Sequence, residues 1–293
     1  MRVVGVTGAS GLLGKAVVLR LEAAGCRVVP FSREPRSAEA RKFTAPLDVN
    51  GLDAIIHLAG EPIFGLWTAK KKQKILESRE AGTRMVVAAI RSAERPPAVL
   101  ISASGANYYG DRGSEELSED APAGVGFLSE VVTKWEAAAA TATAEETTRV
   151  VMLRLGMVLA SEGGAGRLLY RMFRSGLGGR VGSGRQWMPW IHLEDAAALF
   201  VHALDCLSLD GPVNAASPRS VTNAEFTKAM ARVARRPAIL PAPAFALRLA
   251  LGGLSDLALH SIRPNADKAV ASGFTFQHPE IREALEDLFG SGG

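Results

Sequence analysis

Apolar residues follow two spacings along the first half of this chain. Short continuous apolar runs at 2–6, 27–31, 54–59, 98–103 and 149–154 read as buried strands. Between them, Leu13, Ala16, Val17, Leu21 and Ala24 recur at helical spacing, with Gly25 where a helix stops. Residues 68–92 read as a long amphipathic helix broken near 78–82, and residues 127–144 as a further helix. The alternation predicts an α/β fold, a Rossmann-type doubly wound parallel sheet with right-handed connections and ligands at the C-terminal strand ends.

The pattern changes beyond residue 155. Glycine-rich loops (Gly163-Gly164-Ala-Gly166, Gly176-Leu-Gly-Gly179, Gly182-Ser-Gly184) give way to short helices broken by Pro237, Pro241, Pro243 and Pro264. This predicts a dinucleotide-binding domain over 1–155, with later strands returning to it, and a smaller substrate or lid lobe over 156–293. The apolar run 245–259 is interrupted by Arg248 and Asp256, so it reads as a core helix pair and not a membrane span.

Composition narrows the partners. With 293 residues, 47% of them hydrophobic, the chain can bury a full core. Its net charge of +4 is modest, and the one basic run, Lys70-Lys71-Lys72-Gln73-Lys74, lacks a flanking aromatic platform and reads as a solvated helix face. Neither nucleic acid nor membrane is expected as a partner, and the expected state is a monomer or homodimer binding a small molecule. Cys26 and Cys206 suggest a reducing compartment without disulfides. The first strand begins at the N-terminus, leaving no room for a signal peptide, so a cytoplasmic protein is expected. His57, His192, His202, His260 and His278 show no metal-ligand spacing with the cysteines, so no metal is expected.

The strongest chemical signal is Thr7-Gly-Ala-Ser-Gly-Leu-Leu-Gly14, a glycine turn between a strand and a helix. Gly8 permits the tight turn, Gly11 lets the backbone approach a pyrophosphate, and Gly14 lets the helix pack close. Backbone N–H groups from Gly8 through Ser10, Leu12 and Leu13 to Gly14 would cradle the diphosphate. A P-loop is excluded, because Ala9 stands where its first glycine is needed and Ala16 removes the magnesium-binding hydroxyl.

Four stretches line up with one family: the glycine turn, Asp53-Ala-Ile-Ile-His-Leu-Ala-Gly60, Ser102-Ala-Ser-Gly-Ala-Asn-Tyr-Tyr-Gly110 and Trp190-Ile-His-Leu-Glu-Asp195. They resemble the extended short-chain dehydrogenase/reductases. Ala59-Gly-Glu-Pro62, Phe127-Leu-Ser-Glu-Val-Val-Thr-Lys-Trp-Glu136 and Pro189-Trp-Ile-His192 resemble the atypical "epimerase family" branch more narrowly. That branch carries a short C-terminal domain of unknown function, which the stretch at about 241–289 resembles. The resemblance implies a bound dinucleotide lined by Leu58, Ala59 and Gly60 at a strand end. It does not by itself supply a reaction.

The residue after the second strand bears on the cofactor. An NAD site usually has an acidic residue there, whereas this chain has Ser32-Arg33, a hydroxyl and a guanidinium suited to a 2′-phosphate. NADP is expected ahead of NAD. His57 reads as a buried, satisfied strand residue.

Standard members of the larger family carry Tyr-x-x-x-Lys on a helix and a Ser or Thr at a strand end, which together move the alcohol proton and orient the substrate oxygen. The lysine is present as Lys134, but Glu130 stands at the tyrosine position and Gly105 at the hydroxyl position. Lys134 could bind the ribose hydroxyls without a tyrosine. Ser104 and Tyr109 (with Tyr108) either offer substitute hydroxyls or are satisfied locally, the tyrosines by packing at the strand end and Ser104 by a turn backbone. Glu130 is either a weak base or an i, i+4 partner of Lys134. Arg154 could be an oxyanion or phosphate contact, or one half of a structural ion pair. Arg185 with Trp187 and Trp190 could stack on a planar or sugar-like ligand or form a packed lid hinge, while His192 and Asp195 read as structural. An NADP-dependent oxidoreductase or epimerase-like enzyme acting on a small polar carbonyl or alcohol is the first expectation. A cofactor-binding sensor without turnover is the alternative.

Overall fold

A computed structural model describes residues 1–35, 39–145 and 148–290. Its main sheet has seven strands, β1 (Val3–Thr7), β2 (Arg27–Ser32), β3 (Arg41–Lys42), β4 (Ala54–His57), β5 (Val99–Gly105), β6 (Arg149–Leu155) and β7 (Gly211–Ala215). They lie in the order β3-β2-β1-β4-β5-β6-β7 and every pairing is parallel. The order reverses between β1 and β4, where doubly wound folds open a crevice for a ligand. Val4 sits opposite both Val28 and Ala54, so the glycine turn after β1 emerges beside the end of β4.

The α-helices up to residue 251 are α1 (Leu12–Ala23), α2 (Ala69–Ser92), α3 (Phe127–Ala140), α4 (Gly164–Arg174), α5 (Leu193–Asp205), α6 (Asn223–Ala234) and α7 (Ala244–Leu251), with further short helices over Asp256–Leu259, Asp267–Ala271 and Ile281–Phe289 beyond them. One face of the sheet packs Val4, Val6, Ile56 and Ile101 under Val17 and Leu21 of α1 and Leu199 and Phe200 of α5. The other packs Ile55, Leu100 and Val150 under Val86 and Ile90 of α2 and Ala139 of α3. Each such side chain contributes about 1.5–3 kcal/mol, which is why strands buried on both faces are continuous runs of Val, Ile and Leu. A separate cluster joins Trp190, Phe226, Met230, Leu285 and Phe289. Short strand pairs tie the later chain to the sheet layer, including Glu116–Leu117 with Arg263–Pro264.

Three expectations change. Residues 69–92 form one unbroken helix, because buried Ile75, Val86 and Ile90 hold both halves to the core and Ser78 turns its hydroxyl onto the Ile75 carbonyl within the helix. The lysine run opens α2 after a Thr68 cap, yet Lys71 pairs with Glu61 at 2.8 Å and Lys72 sits over the Phe127 ring, so it is more than a solvated face. The stretch 245–259 is not a core helix pair, since α7 buries none of its residues. Among the described residues no helix is long and apolar enough to cross a membrane.

Candidate functional site

The glycine turn is sterically closed around its own backbone. Gly8 has φ +69, and a Cβ there would come within 2.9 Å of the Leu58 backbone. A Cβ on Gly14 would lie 2.1 Å from the Gly8 carbonyl oxygen, so this glycine lets α1 start against the turn itself. Gly11 donates its N–H to Gly8 at 3.0 Å and leads into α1 with no side-chain cap and no acidic residue in the first turn. The helix therefore offers its first N–H groups and its positive dipole end to an anion. Glycine cradle and uncapped helix together fit a dinucleotide diphosphate.

Thr7 fixes the opposite wall. Its hydroxyl accepts from the N–H groups of Leu58 (3.1 Å) and Ala59 (3.2 Å) and lies 2.7 Å from His57 Nδ1. Having accepted twice, the hydroxyl donates its proton to Nδ1, which places the ring hydrogen on Nε2. That Nε2 is buried without a partner, so His57 is only half satisfied, and burial pushes its pKa down to about 4. The imidazole is neutral.

Beyond the β4 end, α2 holds Gly60 and Glu61 in place. Glu61 donates its N–H to Ser78 Oγ at 2.9 Å, and Arg79 Nη1 donates to the Glu61 carbonyl at 3.0 Å. The guanidinium lies against Gly60, where an added Cβ would stand 3.3 Å from Arg79 Cζ, and over the Trp135 ring at 5.1 Å. Burial lowers the Arg79 pKa to about 10, only partly offset by Glu61, whose own carboxylate is taken by Lys71. Trp135 packs in the same cluster as Ala9, Leu13 and Leu58. Sequence reasoning missed both Arg79 and Trp135; a cation and an indole on separate helices meet only once α2 and α3 pack. At the β2 end, the Ser32 hydroxyl is engaged with the Glu34 backbone at 3.0 and 3.2 Å, and Arg33 is exposed.

The four candidate catalytic residues fall into two places. Glu130 and Lys134 pair at 2.7 Å on the exposed face of α3, and that hydrogen bond raises the lysine pKa. Ser104 and Tyr109 instead belong to a buried network at the ends of β5, β6 and β7. Ser104 donates to Glu136 Oε1 at 2.5 Å, while Arg154 grips both Glu136 oxygens at 2.8 Å. Arg154 also donates to the Tyr109 hydroxyl at 2.9 Å, which in turn donates to Asn214 Oδ1 at 2.7 Å. Burial pushes the Tyr109 phenol up to about 12. Burial also opposes the Arg154 charge, but Glu136 outweighs it and the pKa is raised. Arg154 is thus half of an ion pair, stacked over Tyr108 at 3.6 Å. Gly105 has extended backbone, and a Cβ there would meet Val132 at an ordinary 3.6 Å.

The later candidates separate as well. Trp190 is buried, with its indole N–H on the Arg219 carbonyl, and the cation over Trp187 is Arg263 at 4.4 Å, while Arg185 is exposed. His192 caps α5 through Nδ1, and Asp195 accepts the N–H groups of Gln277 and His278 at 2.8 and 2.9 Å. Histidines without ligand spacing in the sequence do meet here, with His192, Glu194 and His278 placing ligand atoms within 4.8 Å of one another. The two imidazole centroids lie 3.9 Å apart, with the rings tilted by 30°.

A parallel sheet with this strand order, a glycine turn at the reversal and an uncapped helix start define a Rossmann-type nucleotide-binding protein. Residues 4–215 match the NAD dependent epimerase/dehydratase family, and residues 242–288 match a domain of unknown function (DUF1731). The chain belongs to the NAD dependent epimerase/dehydratase family. Epimerase family protein SDR39U1 of Mus musculus is 37% identical over 296 residues, covering 98% of this chain and 99% of the mouse protein. Epimerase family protein YfhF of Bacillus subtilis (strain 168) is 36% identical over 296 residues, covering 97% of each. The crystal structure of human epimerase family protein SDR39U1 (isoform2) with NADPH superposes with a TM-score of 0.91 at 32% identity, covering 99% of both chains. UDP-N-acetylglucosamine 4-epimerase from Bacillus cereus, at 17% identity and a TM-score of 0.77, shares the fold.

Proposed function

We propose that this protein binds NADP(H) in the crevice at the glycine turn and is an oxidoreductase or epimerase-like enzyme acting on a small polar carbonyl or alcohol. The observation that carries the reading is the cradle at Gly8, Gly11 and Gly14 facing Leu58, Ala59 and Gly60, with Ser32-Arg33 directly at the β2 end and the acidic Glu34 only one position later. The NADPH bound by the human relative supports the same cofactor here. Ser10, Leu12 and Leu13 would hold the diphosphate through backbone N–H groups, Arg33 the 2′-phosphate, and Arg79 and Lys134 the remaining ribose and phosphate oxygens. The cofactor supplies hydride chemistry. With Ser104 and Tyr109 committed to Glu136, Arg154 and Asn214, Lys134 and Glu130 are the groups left to handle the proton.

The committed hydroxyls also favour a second reading, a cofactor-binding sensor without turnover. Following nicotinamide absorbance across aldehydes, ketones and nucleotide sugars separates the two. Turnover lost in Lys134→Met supports the enzyme, whereas no turnover with any substrate supports the sensor. For the cofactor, Arg33→Asp should weaken NADPH by tenfold or more and leave NADH unchanged. Equal loss of both refutes the 2′-phosphate role.

A further inference from the structure

Charge is unevenly placed along this chain. Segments 163–193 and 226–255 contain ten Lys and Arg and no Asp or Glu, leaving 24 Lys and Arg against 30 Asp and Glu elsewhere. The two segments are neighbours. Ala242 donates its N–H to the Arg180 carbonyl at 2.8 Å, Gly182 donates to Ala242 at 2.9 Å, and Gly179 has no room for a Cβ against the Leu240 carbonyl. Among the described residues, Arg232 is the one cation of the ten near a carboxylate, Glu286 at 3.9 Å.

The same surface carries aliphatic side chains with nothing to cover them. On α4, Arg167, Arg171 and Arg174 form one exposed stripe, and Leu168 and Met172 form the stripe beside it. Further along, Leu249 is 88% exposed, Ile239 75% and Phe245 73%. Isolated exposed apolar residues are ordinary, but here they lie on two neighbouring segments whose cations, apart from Arg232, have no carboxylate within 4 Å among the described residues.

We propose that this face, made of α4, the loop 175–185 and the stretch 235–251, docks peripherally on an anionic lipid surface. Arginines meet lipid phosphates, and the Leu, Ile and Phe side chains enter the boundary between headgroups and acyl chains, the pattern of an interfacial amphipathic surface. A two-fold pairing of this face with a second copy would set cations against cations. Single-stranded nucleic acid would call for aromatic stacking platforms between the cations, and a duplex would engage the cations alone, leaving the aliphatic side chains uncovered. The proposal concerns peripheral contact alone, since among the described residues no helix is long and apolar enough to cross a membrane.

Vesicle flotation of the full chain tests this, comparing phosphatidylcholine alone with phosphatidylcholine carrying about a third phosphatidylglycerol. The protein should float with the anionic vesicles, stay behind with the neutral ones, and be released by high salt. Phe245→Ser with Leu249→Ser, and separately Arg171→Glu with Arg174→Glu, should each reduce binding about tenfold or more with an unchanged thermal midpoint, because all four residues are exposed. Failure to float, or equal flotation with both vesicles, overturns the proposal. So does a dimer in size exclusion that Phe245→Ser with Leu249→Ser disperses, since the face then joins copies of the chain. Duplex DNA binding that the arginine pair abolishes and the apolar pair leaves intact would also overturn it.

Discussion

Thr7 ties two strands together with a single hydroxyl, and the consequence falls on His57. The fully buried ring, held at about 4 where an ordinary histidine titrates near 6.5, is neutral in the fold. Between those values the unfolded chain binds the extra proton, so stability is complete above about pH 6.5 and declines as pH falls toward 4, by about 3 kcal/mol. His192, also lowered by burial and by His278, adds with the same sign. Urea unfolding across this range should show the slope, and His57→Asn should flatten part of it; an unchanged slope in the variant would rule His57 out as its source. Gly14 gives a second test at this scale. A methyl 2.1 Å from the Gly8 oxygen must push α1 off the turn, so Gly14→Ala should cost about 1–3 kcal/mol and weaken NADPH binding with it. Full stability together with wild-type affinity would show that the turn tolerates the shift.

At the scale of elements, α3 presents different chemistry to its two sides. Its outer face holds the exposed Glu130–Lys134 pair, while its inner face sends Glu136 into a bidentate contact with Arg154 of β6. Removing one partner of such a buried pair leaves the other uncompensated, and Glu136→Gln should destabilise by about 3–5 kcal/mol. Replacing both, Glu136→Leu with Arg154→Met, should recover much of that loss, because no unpaired charge remains. Denaturant titrations of the three proteins check this, and a loss below about 1 kcal/mol in the single variant would mean that water reaches the pair. The sequence marked Arg154 as ambiguous because an arginine at a strand end looks the same whether it waits for a ligand or holds a carboxylate. Glu136 sits two residues beyond Lys134, in plain view, yet its direction depends on which face of α3 meets β6. α2 illustrates a local signal overridden: Ser78 and Gly82 suggest a break, but packing of Ile75, Val86 and Ile90 carries the helix through.

For the whole molecule, β7 and α5 come from beyond residue 155 and complete the same sheet layer as the N-terminal strands, so the two halves share one core. A ligand bound in the crevice between β1 and β4 therefore stabilises the full chain. NADPH at a hundredfold excess over its Kd should raise the unfolding free energy by about 2.7 kcal/mol, seen as an upward shift of the thermal midpoint. NADH at the same concentration should shift it less. Equal shifts would remove the preference that Ser32-Arg33 suggests.

By itself the sequence determined the α/β alternation, the dinucleotide turn and the departure from Tyr-x-x-x-Lys, because these reside in local spacing and in residue identity. Gly8 and Gly14 could be read in advance, since a turn of this kind admits only glycine where backbone meets backbone. The tertiary structure alone decided that Ser104 and Tyr109 are committed to a buried network, that Arg79 and Trp135 meet beside Gly60, and that α7 is left uncovered. The physical reason is common to all three. A polar or apolar side chain declares its chemistry in the sequence, but what satisfies it is set by neighbours that only the packed chain brings within a few ångströms.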